Sequence, residues 1–446
     1  MNKLRLIAII FYFVPFSMEC QITSIPSNQK ACDLVYDAIT DKIYITIPSS
    51  DVINGNSIGV VNPYTNTLES TLLVGNDPVE MAISDNGQYI YVGFDGIPKI
   101  RRYTLNPLAF DMEFDLGSYP PPLGYGSYYA RDIAVMPGQP NTIAVSRKYI
   151  ANISPDYIGI GIYDNGVMRP TDYRPTGGGS VSKIKFKDAT TLIGHRGTSS
   201  LGGIQLFTIN ANGISLSSSH DNIPNPHPYG ITSDFVYRQN KLYFMNGRRV
   251  DVSSTPILDG QYTSSLFGGG GVMYDELNNL VCYGDDTGVL TFYQNGFWDG
   301  YLRRYNAITM QLFDSYQITT ANKIDKMISC GNNCYSLITN TPVGAASGGG
   351  GVNRVVILRA QALNTGESTH ENNILLYPNP TSGFVHVEKP EDVGIRNIII
   401  RNLLGEVVLT NLNIDTFDLS SISSGIYFCH ITTSNGFVFT KKITKE

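Results

Sequence analysis

The sequence predicts an all-β protein: a seven-bladed β-propeller over residues 21–363, then a small immunoglobulin-like β-sandwich over residues 374–446. Three observations predict it. First, a short apolar strand recurs after a turn residue: Asp41 before KIYITI, Gly87 before QYIYVGF, Asn141 before TIAVSR, Thr190 before TLIGHR, Asn240 before KLYFMN, Asn279 before LVCYGD and Asn333 before CYSLIT. These copies repeat with a period of roughly 47 residues, the length of a four-stranded propeller blade. Second, the chain is rich in Gly (44) and Tyr (28) and only 16% charged, the balance of a turn-rich β protein. Third, the polar, aperiodic stretch 364–373 separates this array from a new set of short alternating strands, so it reads as a linker.

The amino terminus carries Lys3 and Arg5 ahead of an apolar run from Leu6 to Phe16, interrupted by Pro15. The run is too short to span a bilayer and fits a signal peptide over residues 1–20, with cleavage between Cys20 and Gln21. Lipid attachment at Cys20 is the competing reading, although Glu19 stands where lipoprotein signals place a small residue. No other segment reaches transmembrane length.

Blade one runs from about Ala31 to Gly75, with strands near Asp33–Asp37, Lys42–Ile47, Ser57–Asn62 and Glu69–Val74. Blade two continues to about Gly117, and apolar–polar alternation marks its strands as half-buried. The stretch from Gly75, NDPVEMAISDNGQYIYVGF, places a Gly-x-x-Pro opener before the inner strand and a Tyr-Val pair in the second. In this it resembles YVTN-type propeller repeats. Blade three (about 118–178) opens on a Tyr/Pro-rich loop from Tyr119 to Tyr129, blade four covers about 179–222, and blade five (about 223–267) opens on Asn225 and PHPYGIT. Blade six contains an insertion carrying the single tryptophan, Trp298, read as an extra hairpin. It then rejoins the pattern at Leu302-RRY, an internal echo of Ile100-RRY in blade two. Blade seven ends at Arg354-VVILR without a fourth strand. An unpaired edge is a liability, and Gln21-ITS is the segment available to close the ring.

The last 70 or so residues read as hairpins turning at Leu404–Gly405 and Ser434–Gly436. Tyr377, Pro378, Asn379, Pro380 and Gly383, then Gly425 and Tyr427, then Lys441 and Lys442, resemble the type A sorting domain of the type IX secretion system. Each residue also has a structural use: the prolines fix a turn, Gly383 and Gly425 supply special backbone angles, Tyr427 packs a core, and the lysines end a strand. The resemblance implies Sec-dependent passage of the inner membrane, recognition by the type IX machinery, a secreted or cell-surface destination and a Bacteroidetes-type host. It implies nothing about the activity of the cargo.

Net charge is −6 with no basic stripe, which argues against nucleic-acid binding. Of six cysteines, Cys330 and Cys334 flank Gly-Asn-Asn, a three-residue hairpin turn within disulfide reach. Cys32, Cys282 and Cys429 read as isolated core residues. Catalytic motifs are not recognisable: His195, His220 and His227 lack metal-ligand spacing, and there is neither a nucleophile elbow nor a Walker loop. One constellation can be assembled from the repeats. The residues opening the inner strands line the channel, and the repeat register makes them Asp33, Glu80, Asp132, Lys183, Gly230, Gly271 and Lys326. Three acids in successive blades suit a hard cation such as calcium, or a carboxyl with a raised pKa for general-base work. Alternatively, each acid accepts neighbouring backbone amides or pairs with Lys183 or Lys326. A one-residue register error would turn these side chains to the opposite strand face. The expected function is a binding module for an extracellular glycan or protein, with a channel hydrolase or lyase, lactonase-like or acting on polysaccharide, as the alternative.

Overall fold

The computed structural model describes residues 21–24, 29–118, 126–150, 157–175, 181–196, 203–221, 223, 234–262, 271–286, 300–318, 323–331, 333–341, 352–359, 375–389, 394–402, 407–412, 415–433 and 438–446. The stretch 1–20, the loop tip 119–125, His227, Gly230, Trp298, the linker 364–373 and the turns at 404–405 and 434–436 lie outside the described residues. The chain divides after Ala360 into two compact units.

The first unit consists of seven four-stranded antiparallel sheets, six of them built from strands consecutive in the chain. Their inner strands are Asp33–Asp37, Pro78–Ile83, Tyr129–Met136, Val181–Asp188, Phe235–Arg238, Val272–Asp275 and Lys323–Ser329. The seventh sheet takes its outermost strand from the other end of the unit: Gln21–Ser24 pairs antiparallel with Val352–Arg359, Gln21 opposite Arg359. The ring is therefore closed by hydrogen bonds between its first and last strands, which covers the edge that blade seven would otherwise expose.

The turn residues explain the recurring sequence marker. Asp41 (φ 55°), Gly87 (61°), Asn240 (60°), Asn279 (53°) and Asn333 (51°) all lie in the left-handed region immediately before or within the start of a second strand. Only Gly, Asn and Asp enter that region at low cost, so the hairpin geometry selects them. The strands that follow are not half-buried as alternation suggested. Lys42–Ile47 and Tyr89–Phe94 are buried at every position after the first. Each blade is covered on both faces by its neighbours, so both faces of its second strand need apolar side chains. The outermost strands differ: Thr67–Leu73 is mostly exposed.

The core is accordingly divided among the gaps between blades. Ile43, Ile45 and Val61 of blade one meet Ile338, Val355 and Ile357 of blade seven. On the other side of blade one, Tyr44 and Ile58 meet Met81, Val92 and Phe94 of blade two. Similar wedges fill the gaps between blades two and three, three and four, four and five, five and six, and six and seven. The Arg-Arg-Tyr echo ties neighbouring blades together. Arg102 pairs with Asp111 of its own outer strand at 2.5 Å, and its Nη1 donates to Asn141 Oδ1 of blade three at 2.9 Å. Arg304 pairs with Asp314 and donates to the Tyr335 hydroxyl of blade seven at 2.8 Å. Both guanidiniums are buried, where such pairing is required.

The second unit contains a three-stranded sheet (Leu375–Tyr377, Phe384–Glu388, Thr416–Asp418) and a four-stranded sheet (Ile395–Arg401, Val407–Leu412, Gly425–Thr433, Val438–Lys445). Val385, Val387 and Phe417 of the first sheet pack on Ile398, Ile400, Tyr427, Cys429 and Ile443 of the second, a sandwich core.

Candidate functional site

The channel-mouth residues are set by a backbone irregularity that recurs in four blades. The pairing register shifts between Pro78 and Glu80, Ala130 and Asp132, Val181 and Lys183, and Ile324 and Lys326. A bulge at this point adds one residue and re-aims the side chains beside it. In blades three and four the extra residues are Arg131 and Ser182, next to Asp132 and Lys183.

Asp33 and Asp132 act as clasps between blades. The Asp33 carboxylate accepts the backbone N–H of Met81 at 2.8 Å and pairs with the ammonium of Lys326. The Asp132 carboxylate accepts the backbone N–H of Ile184 at 2.7 Å, with Lys183 Nζ at 3.5 Å. Lys183 Nζ also stands 3.9 Å from Glu80. The positive charge facing these carboxylates is thus ammonium, and among the described residues no group of three His, Cys, Asp or Glu side chains is arranged to hold a metal ion.

Gly230 does not provide the equivalent position in blade five; it lies outside the described residues, and Asp234 takes that place. Asp234 directly precedes the inner strand, its carboxylate accepts the N–H of Phe235 at 2.8 Å, and its carbonyl pairs with Met245. The sequence register failed here because blade five has a tight hairpin, in which Arg238 pairs with Lys241 across Gln239 and Asn240. Counting back from Asn240-KLYF with that tight turn would have found it. Gly271 of blade six is where expected. It contributes backbone only: its N–H donates to Ile324 at 2.7 Å, and a Cβ there would crowd Lys326.

Burial raises the Glu80 carboxyl to about 7, with Asp33 and Asp132 adding to the rise and Lys183 and Lys326 opposing it. Desolvation rather than like charge is therefore the larger cause. Burial would also raise Asp234, but Lys185, Lys183 and Lys326 outweigh it and hold its carboxyl below the ordinary range. Burial works against the Lys183 ammonium, yet Asp132 and Glu80 overcome it and leave the group firmly protonated.

Between blades two, three and four these residues open on a cavity of about 480 Å³. Glu80, Asp95, Arg131, Lys148, Tyr149, Ile150, Ser182 and Lys183 line it. Lys148 pairs with Asp95 at 2.9 Å. Sequence reasoning found Glu80 and Lys183 but missed the other lining residues. Lys148 ends a second strand and Asp95, Tyr149 and Ile150 follow second strands, outside the inner-strand positions aligned from the repeats. Of the histidines, His195 is buried against Phe235 and Phe244, and His220 lies on an outer strand, so neither reaches the mouth.

Cys330 and Cys334 form a disulfide, with Cα atoms 4.9 Å apart across the first hairpin of blade seven. Cys282 and Cys429 are buried and free, and Cys32 is free and partly exposed.

In the second unit the Tyr377–Thr381 segment is joined to the end of the chain. Asn379 Nδ2 donates to the Lys442 carbonyl at 2.7 Å, and its Oδ1 accepts the Thr444 N–H at 2.9 Å. Thr381 exchanges backbone bonds with Thr444 and Glu446. Two motifs far apart in sequence are therefore one structural element. Gly383 has no left-handed φ; it is glycine because a Cβ would stand 2.4 Å from Ser420 Oγ. Tyr427 is buried and its hydroxyl donates to the Ser423 carbonyl at 2.8 Å. Lys441 and Lys442 lie on the final strand.

Residues 375–446 match the family described as the secretion system C-terminal sorting domain. Such a domain directs export by the type IX system to the cell surface or the extracellular space. No curated protein sequence matches the chain. Among solved structures it is similar to the β-propeller domain of Myceliophteria thermophila Cps50 (Swd1), with a TM-score of 0.53, 11% identity, and coverage of 77% of this chain and 100% of that one. It is also similar to Kuenenia stuttgartiensis hydrazine synthase, with a TM-score of 0.51, 11% identity and coverage of 74% and 96%. A third similar structure is U3-55K, with a TM-score of 0.50, 12% identity and coverage of 76% and 98%. At these identities the likeness is one of fold alone. The chain is a β-propeller ending in a type IX secretion C-terminal sorting domain.

Proposed function

We propose that the propeller is the exported cargo and serves outside the cell as a binding module, taking a glycan at the channel-mouth cavity between blades two, three and four. Residues 1–20 would bring it to the Sec route as a cleaved signal peptide, and the chain from residue 375 onward would carry it across the outer membrane. The cavity carries the reading. Its size falls in the range of small-ligand sites. Its lining mixes charged groups, a hydroxyl, an aliphatic side chain and the ring of Tyr149, a combination suited to a hydroxyl-rich, partly apolar sugar. A rigid ring that displays such a site among loops is a common way to present recognition. Incubating the purified full chain on a glycan array tests this: retention of a defined glycan subset is expected, and a blank array would reject the glycan reading.

A hydrolase or lyase reading has one observation in its favour: the Glu80 carboxyl is raised to about 7, near the pKa suited to a general base at neutral pH. Turnover of a lactone or polysaccharide that disappears in Glu80→Gln would select it.

A further inference from the structure

We infer that the channel-mouth cavity is a site for an acidic sugar, with Arg131, Ser182 and Lys183 forming a cradle for its carboxylate. This rests on the glycan reading above and specifies the ligand class. The two bulges bring the cradle together, since Arg131 and Ser182 are the inserted residues of adjacent inner strands and Lys183 follows Ser182 directly. The three share the wall of one cavity. Ser182 is 2% exposed, and its hydroxyl has no hydrogen-bond partner among the described residues. A buried hydroxyl without a partner is costly, and a ligand oxygen would satisfy it. Lys183 has three N–H donors, but its carboxylate neighbours stand at 3.5 and 3.9 Å. Tight ammonium–carboxylate bonds are about 2.7–2.9 Å long, so its donors can take a closer acceptor.

The charge of the lining agrees. Three cations, Arg131, Lys148 and Lys183, face two carboxyls, Glu80 and Asp95. Lys148 and Asp95 already neutralise each other at 2.9 Å. Asp132, behind Lys183, is committed to the Ile184 N–H. Burial disfavours the Arg131 guanidinium, and Glu80 and Tyr157 oppose that effect. The rest of a sugar ring would lie toward Ile150, the exposed apolar side chain of the lining.

The test is calorimetric titration of the full chain with galacturonate and glucuronate, against galactose, glucose and methyl galacturonate ester, with inorganic sulfate as a bare anion. Binding of at least one uronate ten-fold or more tighter than its neutral counterpart, its ester and sulfate is expected. In Ser182→Ala that preference should fall about ten-fold while Tm stays at or above that of the wild type, because the variant removes a buried hydroxyl on which no protein group depends. Equal binding of neutral and acidic sugars would overturn the acidic-sugar inference and leave the glycan reading standing. Sulfate binding as tight as uronate would overturn it in favour of a bare anion site. An unaltered preference in Ser182→Ala would overturn the assignment of the cradle. Absence of monosaccharide binding, with glycans still retained on the array, would likewise overturn it.

Discussion

Asp33 of blade one accepts the backbone N–H of Met81 in blade two at 2.8 Å. Asp132 makes the same link from blade three to Ile184 of blade four at 2.7 Å. In both cases the residue before the donor, Glu80 or Lys183, follows the register shift in the next inner strand. The acids hold adjacent blades at the channel wall, and the lysines opposite offset the cost of burying them.

Asp132→Ala should therefore destabilise the propeller by about 3 kcal/mol, since it leaves an inner-strand amide unpaired and a lysine without its nearer partner. Asp132→Asn keeps an acceptor and should cost about half as much. Chemical-denaturation midpoints of the full chain measure both, and equal losses would show that the amide contact is unimportant.

Stability should also vary with pH through Glu80. Its carboxyl is raised from 4.5 to about 7 in the folded chain, so the fold binds this proton more tightly than the unfolded chain does. The resulting stabilisation is complete below 4.5 and is lost as pH rises through about 7. Glu80→Gln retains the neutral form throughout. Relative to that variant, the wild type should lose stability across this interval, as measured by thermal melts in matched buffers. Parallel profiles would refute the assignment.

Two ties hold the last blade, and they should differ in weight. The Cys330–Cys334 disulfide closes a very short loop, so replacing both cysteines with serine should cost only about 2 kcal/mol. Removing residues 21–24 deletes a whole strand from the sheet and uncovers the edge of Val352–Arg359. Proteolysis near that edge should accelerate far more in the truncated chain than in the serine variant.

Asn379 links the Tyr-Pro-Asn-Pro segment to the terminal strand through Lys442 and Thr444. Asn379→Ala should unfasten the two halves of the sorting motif and retain the protein in the periplasm, while propeller stability stays unchanged. Cell fractionation with immunoblotting reads the outcome, and normal export would separate sorting from this contact.

The ring was legible because its repeating unit imposes local demands. A left-handed turn residue must precede a strand buried on both faces, and Asp41, Asn240, Asn279 and Asn333 announce it. Closure by Gln21–Ser24 followed from counting strands. The site was legible in part. Asp33 pairs with Lys326, and Lys183 stands near Glu80 and Asp132, while the acids Asp33 and Asp132 also engage backbone amides. Asp234 escaped because a tight hairpin shifted the register in blade five. Arg131 and Ser182 escaped because a bulge breaks the strict alternation from which strand faces are read. The union of Asn379 with Thr444 is a contact over 65 residues, and no local pattern encodes it.

Ile150 offers the most direct test of the channel-mouth site. It lines the cavity and is 46% exposed, so Ile150→Trp would obstruct the entrance with little disturbance of packing. On the glycan array, the full-length Ile150→Trp variant should melt as the wild type does and lose the glycans that the wild type retains. Unchanged glycan retention by a correctly folded variant would place recognition elsewhere on the ring and contradict the account.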